Sequence, residues 1–396
     1  MPHSEKPFKL SVTDAEIDDL RKKLDLTRFP DHPDGMDWQY GVPIENVRRL
    51  VARWKDGFDW RAAEARINQL PQFTRDIEVE GFGTLNIHYV HKKSDAKGAI
   101  PLLFVHGWPG HFMEVSKILP LLTSDTGDHP RFHVVALSLP GFGFSEAPKK
   151  GGFRFRQFAE VGHKLMLALG YDKYVTQGGD WGYFITRSIA SYYGPKNVKA
   201  WHTNMPYTGP PTFAANPLLY LQYLVTPLSA EDVKGLQRND YWDAERKGYM
   251  WAQQTKPQTI GSLLADSPAG LLTWIYEKLI ESVDDYHWTD DEVLAWISIY
   301  WFSRAGPAAS VRIYYESYHH PEDSRPPWSS TPFGASHFPK DVFYTPDLWV
   351  RAIGNLVYEV RHEFGGHFAA YEKPEALVKD IRALCKLDVV VKEFTK

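Results

Sequence analysis

The chain has 396 residues, 43% of them hydrophobic and 24% charged, which suits one large domain with insertions, or two to three modules, around a sizeable core. Its net charge of −4 carries no basic footprint for nucleic acid, and no polybasic amphipathic stretch marks it for a membrane surface. The lone cysteine, Cys385, excludes an internal disulfide and a cysteine-based zinc cluster, while the lack of a signal-peptide core and of any apolar run of roughly 18 residues predicts a soluble, cytoplasmic protein with no membrane anchor.

Residues 1–75 read as a helical module without a strong strand. Thr13-Asp14-Ala15-Glu16 fits a capping box, followed at helical spacing by Ile17, Leu20 and Leu24. Further amphipathic runs cover about 44–54 and 60–70. Residues 76–205 change period. Alternating segments at 74–79 and 85–90 flank Glu80-Gly81-Phe82-Gly83, a hairpin signal. Apolar strands at 100–105, 132–137, 174–177 and 198–204 then alternate with helical stretches near 112–122, 158–169 and 183–193. That order predicts an α/β fold with a mainly parallel sheet covered on both faces. From 206 to 335, proline clusters bracket helical sequence rich in Trp and Tyr, the composition of a helical cap inserted into the sheet domain. Strand–helix order resumes within 336–396, with a strand expected at 352–360 and the last helix, holding a buried Cys385 near its end, from 374.

The chemistry concentrates in Gln177-Gly178-Gly179-Asp180-Trp181-Gly182, between a strand and a helical run. The pattern is that of a nucleophile elbow, a sharp turn that admits only small neighbours, with aspartate as the raised residue. Asp is also a favoured helix N-cap, which is the competing reading. A carboxylate with an ordinary pKa of about 3.9 is ionised at neutral pH and attacks a saturated carbon without a base. The resulting ester must then be hydrolysed by water. For that step the chain order nucleophile, acid, histidine points to His367 in Gly365-Gly366-His367-Phe368 as the base, and to Asp341 as the acid that orients it. Two backbone donors for the oxyanion are expected at Trp181 and at Trp108, in His106-Gly107-Trp108-Pro109.

The leaving group separates the reactions available to such a triad. A halide departs with weak donors only, as in a haloalkane dehalogenase, with Trp108 and Trp181 cradling it. An epoxide alkoxide needs a proton, which a phenol with a pKa of about 10 can give at pH 7. Tyr249 and Tyr314 in the cap are two plausible phenols among 21 tyrosines. A hydrolase fold kept only as a binding module is the third reading. A serine esterase is disfavoured because no G-x-S-x-G elbow stands where the sheet needs one.

Over nearly its whole length the chain resembles the microsomal-type epoxide hydrolases. The similarity runs through Thr27-Arg28-Phe29-Pro30, His106-Gly107-Trp108-Pro109-Gly110, Leu139-Pro140-Gly141-Phe142-Gly143-Phe144-Ser145, the Asp180 elbow, Gly248-Tyr249 with Gln253, and Gly365-Gly366-His367-Phe368-Ala369-Ala370. The resemblance implies an α/β-hydrolase fold, and an N-terminal module that wraps core and cap and is structural. It also implies an Asp180 nucleophile, a His367 base, an Asp341 acid, and ring-opening tyrosines at Tyr249 and Tyr314, the last less secure because Tyr315 adjoins it. No cofactor or metal is expected. A small hydrophobic epoxide is the expected substrate, and a homodimer is compatible with the sequence.

Overall fold

In the computed structural model, which describes residues 5–124, 127 and 129–394, the apolar runs become the centre of one sheet. Its strands are β1 (Lys6–Pro7), β2 (Gln72–Val79), β3 (Gly83–Lys92), β4 (Ile100–Val105) and β5 (Phe132–Leu137), then β6 (Tyr174–Gly178), β7 (Val198–Thr203), β8 (Pro332–His337) and β9 (Asn355–Arg361). They lie in the order β1-β2-β3-β5-β4-β6-β7-β8-β9. Pairing is antiparallel from β1 to β5 and parallel from β5 to β9. Every residue of β6 is buried, as is all of β4 except Pro101. Strands buried on both faces need no polar alternation, which is why these read as continuous apolar runs.

The two faces carry separate cores. Leu103, Val105, Val135 and Leu137 pack with helices Phe155–Ala168 and Trp181–Tyr193. Leu102, Phe104, Val134 and Ala136 share the other core with helix Pro374–Lys386, in which Cys385 is buried. The period of two along each strand thus sends successive side chains into different cores.

Several elements depart from the expected bounds. β8 begins at Pro332, inside the stretch assigned to the cap, and all six of its residues are buried. Pro-Phe-Gly-Ala-Ser-His has little β-branched or large apolar content, so it carries no strand signal. The segment expected as one helix at 112–122 is a 3₁₀ turn, Phe112–Ser116, followed by helix Ile118–Thr123. β9 starts at Asn355 rather than at 352. The N-terminal segment is stitched to the sheet edge, since Lys6 pairs with Thr74 in β2.

Helices of the region between β7 and β8 include Ala230–Glu245, Gly248–Thr255, Pro268–Glu281 and Arg312–His319. The N-terminal module packs against them. Leu20, Leu24, Leu50 and Trp54 share a core with Leu271, Leu272 and Ile275 of helix Pro268–Glu281. Arg53 holds Asp291 at 2.9 and 3.0 Å through two guanidinium nitrogens, and Lys23 meets Asp266 at 2.9 Å. These pairs are exposed and weak individually, so the apolar contact carries the association. Among the described residues no helix is long and apolar enough to cross a membrane.

Candidate active site

The elbow is built by steric exclusion. β6 ends at Gly178 and helix Trp181–Tyr193 starts three residues later, leaving Asp180 at φ 51°, ψ −128°. It is the one non-glycine residue at positive φ among those described. Such a conformation is disfavoured for an L-residue and persists only where the surroundings over-determine it. A Cβ at Gly182 would run into the Val105 carbonyl of β4, and one at Gly107 would occupy the space of the Asp180 carboxylate. The Asp180 side chain makes no helix-capping hydrogen bond, so the N-cap reading does not hold.

Three loops at the carboxyl ends of the strands converge on this carboxylate. The loop after β4 brings the Trp108 N–H, which donates to Asp180 Oδ1 at 2.8 Å. His106 fixes this turn: its Nδ1 donates to the Gly107 carbonyl at 2.9 Å and its Nε2 accepts from the Leu139 N–H. Burial lowers the His106 pKa to about 4, so the ring stays neutral in that tautomer. Trp181 opens the helix, where the first N–H groups have no intrahelical acceptor.

The loop after β9 brings His367, whose Nε2 lies 3.5 Å from Asp180 Oδ2. Its Nδ1 lies 2.7 Å from Oδ1 of Asp341, which follows β8. Asp341 is 4% exposed, and the Val342 N–H also donates to its Oδ1 at 2.6 Å. Burial disfavours a charge on His367, but Asp341 and Asp180 outweigh it and hold the imidazole well above its ordinary pKa. The loop is anchored by Glu372, which accepts from the Gly366 N–H at 2.8 Å and the Asp284 N–H at 3.1 Å.

Both cap phenols rest on the tryptophans that flank the nucleophile. Tyr249 stacks on Trp108 with ring centres 5.3 Å apart, and Tyr314 meets Trp181 edge-to-face at 4.7 Å. The two tyrosine rings are 6.1 Å apart. Burial raises both phenol pKa values above the ordinary range, and the Asp180 charge adds to the effect. The neighbour Tyr315 is 39% exposed and stacks on His319 instead, so of the two adjacent tyrosines it is Tyr314 that faces the indoles beside Asp180.

Four residues near the site were not assigned to it from the sequence, where Trp38 figured only in the resemblance of the N-terminal module. Glu114 and Asn204 line a small space that Asp180 and His367 also line, with room for about one water molecule. Burial pushes the Glu114 carboxyl up to about 8, with His367 opposing the shift and Asp180 adding to it. Trp38, from the N-terminal module, and Arg238, from helix Ala230–Glu245, line the main cavity together with Asp180, Tyr249 and His367. That module therefore contributes to the cavity wall as well as to the packing. Among the described residues, His337, Asp347 and Glu359 lie close enough together to share a metal ion, but Arg361 already holds Asp347, and none of them lines this cavity.

Comparison with known proteins agrees with the sequence and the fold. Residues 5–115 match the epoxide hydrolase N terminus model, and residues 100–249 match the alpha/beta hydrolase fold model. Epoxide hydrolase 1 of Sus scrofa is 34% identical over 406 residues, covering 95% of this chain and 87% of its own. The structure of Aspergillus niger epoxide hydrolase superimposes with a TM-score of 0.84 at 34% identity, over 97% of this chain and 96% of that one. The juvenile hormone epoxide hydrolase of the silkworm Bombyx mori gives a TM-score of 0.87 at 29% identity, over 99% and 95%. The chain is an enzyme of the α/β-hydrolase fold and belongs to the epoxide hydrolase family.

Proposed function

We propose that the protein converts a hydrophobic epoxide and water to a vicinal diol through a covalent ester on Asp180. The observation that carries this reading is the pair of contacts on one carboxylate: Trp108 N–H fixes Oδ1 at 2.8 Å, and His367 faces Oδ2 at 3.5 Å. The free lone pairs of Oδ2 attack one oxirane carbon, and the carbon–oxygen bond breaks as the ring oxygen takes a proton from Tyr249 or Tyr314. Solvent returns that proton to the phenol.

Ester formation removes the Asp180 charge, one of the two that hold a proton on His367. His367 loses that proton to solvent and becomes the base for hydrolysis. It then deprotonates a water, which adds to the ester carbonyl. The oxyanion is held by the N–H groups of Trp108 and Trp181. Collapse expels the diol oxygen, which takes a proton from His367; the Asp180 carboxyl then gives its remaining proton to His367, which restores both the carboxylate and the imidazolium. Neutral Glu114, lining the same small space as Asp180 and His367, suits the holding of that water.

A halide-releasing reaction has less support. It needs no acid at the leaving group, whereas two phenols, Tyr314 buried and Tyr249 partly buried, stand on the indoles beside Asp180. A purely binding role leaves the complete triad unexplained. The test is a single turnover with excess enzyme in oxygen-18 water. The first diol should carry unlabelled oxygen drawn from Asp180, with label appearing in later turnovers; full solvent label in the first diol would remove the ester mechanism.

A further inference from the structure

The cavity over Asp180 has a volume of about 510 Å³ and two kinds of lining. Trp38, Trp242, Met250, Ile280, Val283 and Phe343 give it apolar lining. Its lining also carries four cations, Arg238, Arg246, Lys278 and Lys340, and most of its charges are matched inside the protein. Lys278 is paired with Glu277 and lies 3.3 Å from Glu281. Arg246 lies 3.8 Å from Glu281 and also donates to its carbonyl oxygen. Asp180 and Asp341 are engaged by His367, and Asp284 accepts from the Gly365 N–H at 2.9 Å. Lys340 is exposed at the rim.

Arg238 is the exception. Its guanidinium donates to the main-chain carbonyl of Asp341 at 2.8 Å, and no carboxylate among the described residues lies within ion-pair distance of it. A guanidinium has five N–H donors, so one hydrogen bond leaves most of them for a ligand. Keeping a partly buried charge without a counter-ion is costly. Burial accordingly pulls its pKa below the ordinary arginine value, with Asp341 opposing.

We infer that Arg238 is the recognition point for a carboxylate on the substrate, which makes the preferred substrates epoxides of carboxylic acids with an apolar chain between the two groups. The inference rests on the hydrolytic reading of the site. The spacing follows from Asp341, which takes Arg238 on its main-chain oxygen and His367 on its side chain, while His367 faces Asp180. The carboxylate end is thus held one residue and one imidazole away from the reacting carbon, a distance that several carbon–carbon bonds span. The apolar lining covers the chain, and the planar fork of the guanidinium matches the carboxylate in two parallel hydrogen bonds.

The experiment compares a medium-chain ω-epoxy carboxylic acid with its methyl ester, measuring diol formation by the wild type, Arg238→Met and Arg238→Lys. The wild type should prefer the acid by about tenfold or more in kcat/KM, chiefly through KM. Arg238→Met should abolish the preference, and Arg238→Lys should retain part of it. If Arg238 only supports the Asp341 backbone, both substrates slow equally and the preference survives, which would overturn the proposal. Equal kcat/KM for acid and ester in the wild type would overturn it too. Diol from neither substrate would overturn the hydrolytic reading itself.

Discussion

His367 Nδ1 and Asp341 Oδ1 lie 2.7 Å apart, both buried, on loops that leave neighbouring parallel strands β8 and β9. This contact fixes which imidazole nitrogen faces Asp180 and places a negative charge behind the ring. It matters most after the Asp180 charge has been lost to an ester, when Asp341 is the one carboxylate left to stabilise the imidazolium.

Replacing Asp341 by Asn should therefore separate the two chemical steps. Ring opening should fall by less than about tenfold, whereas ester hydrolysis should slow about 10²- to 10⁴-fold because the general base is mis-set. Intact-protein mass spectrometry after mixing with an epoxide should show an adduct of the substrate's mass that decays slowly. A slow variant without an adduct would place Asp341 in the opening step instead. The same histidine makes a stability prediction. The folded state binds its proton more tightly than the unfolded chain, so its contribution is full below about pH 6.5 and is lost as pH rises through the folded value. His367→Gln should flatten that part of the stability–pH curve measured by urea unfolding.

The two phenols should act in opening alone. Their raised pKa values keep them protonated at working pH, as an acid requires, and place the barrier in the transfer to the ring oxygen. In the Asp341→Asn background, where the adduct is trapped, Tyr249→Phe or Tyr314→Phe should each slow adduct formation by about 10². The double substitution should slow it further. Rapid-quench sampling of the adduct measures this directly, and unchanged rates in the double variant would remove the proposed role. Tyr315→Phe is the internal control, with no effect expected.

What was legible in the sequence divides by physical range. The elbow was readable because its constraint is local: backbone atoms within a few residues and on the next strand leave no room for side chains at Gly178 and Gly182, so the spacing itself records the turn. His367 was readable from its paired glycines after a strand. Tyr314 was less secure than Tyr249 because adjacent helical residues differ only in which side they face, and that is decided by Trp108 and Trp181, remote in sequence. β8 was missed because burial, not propensity, makes Phe333-Gly334-Ala335 a strand: a Cβ on Gly334 would meet Leu384 and His202. Glu114, Trp38 and Arg238 belong to the site only through contacts between distant segments, which no periodicity encodes.

Glu114 gives the last prediction. Its carboxyl, pushed up to about 8 chiefly by burial, should be neutral at pH 7 although it lines the same space as Asp180. A folded-state value above the unfolded value of about 4.3 means that the native state holds a proton the unfolded chain has released. Its contribution to stability is then largest at low pH and declines as pH rises from about 4.3 to about 8, where the folded carboxyl also ionises. Glu114→Gln keeps the shape and deletes the proton. Between pH 5 and pH 8 the stability difference should move in favour of the variant by on the order of 1–3 kcal/mol, measured as paired urea unfolding curves. An identical difference at both pH values would mean the carboxyl ionises normally, and a neutral group could not then be what faces the water. In the trapped-ester assay, Glu114→Gln should hydrolyse within about tenfold of its parent, whereas Glu114→Leu, which cannot hold a water, should be slower by about 10² or more, within the range of a positioned proton-transfer partner.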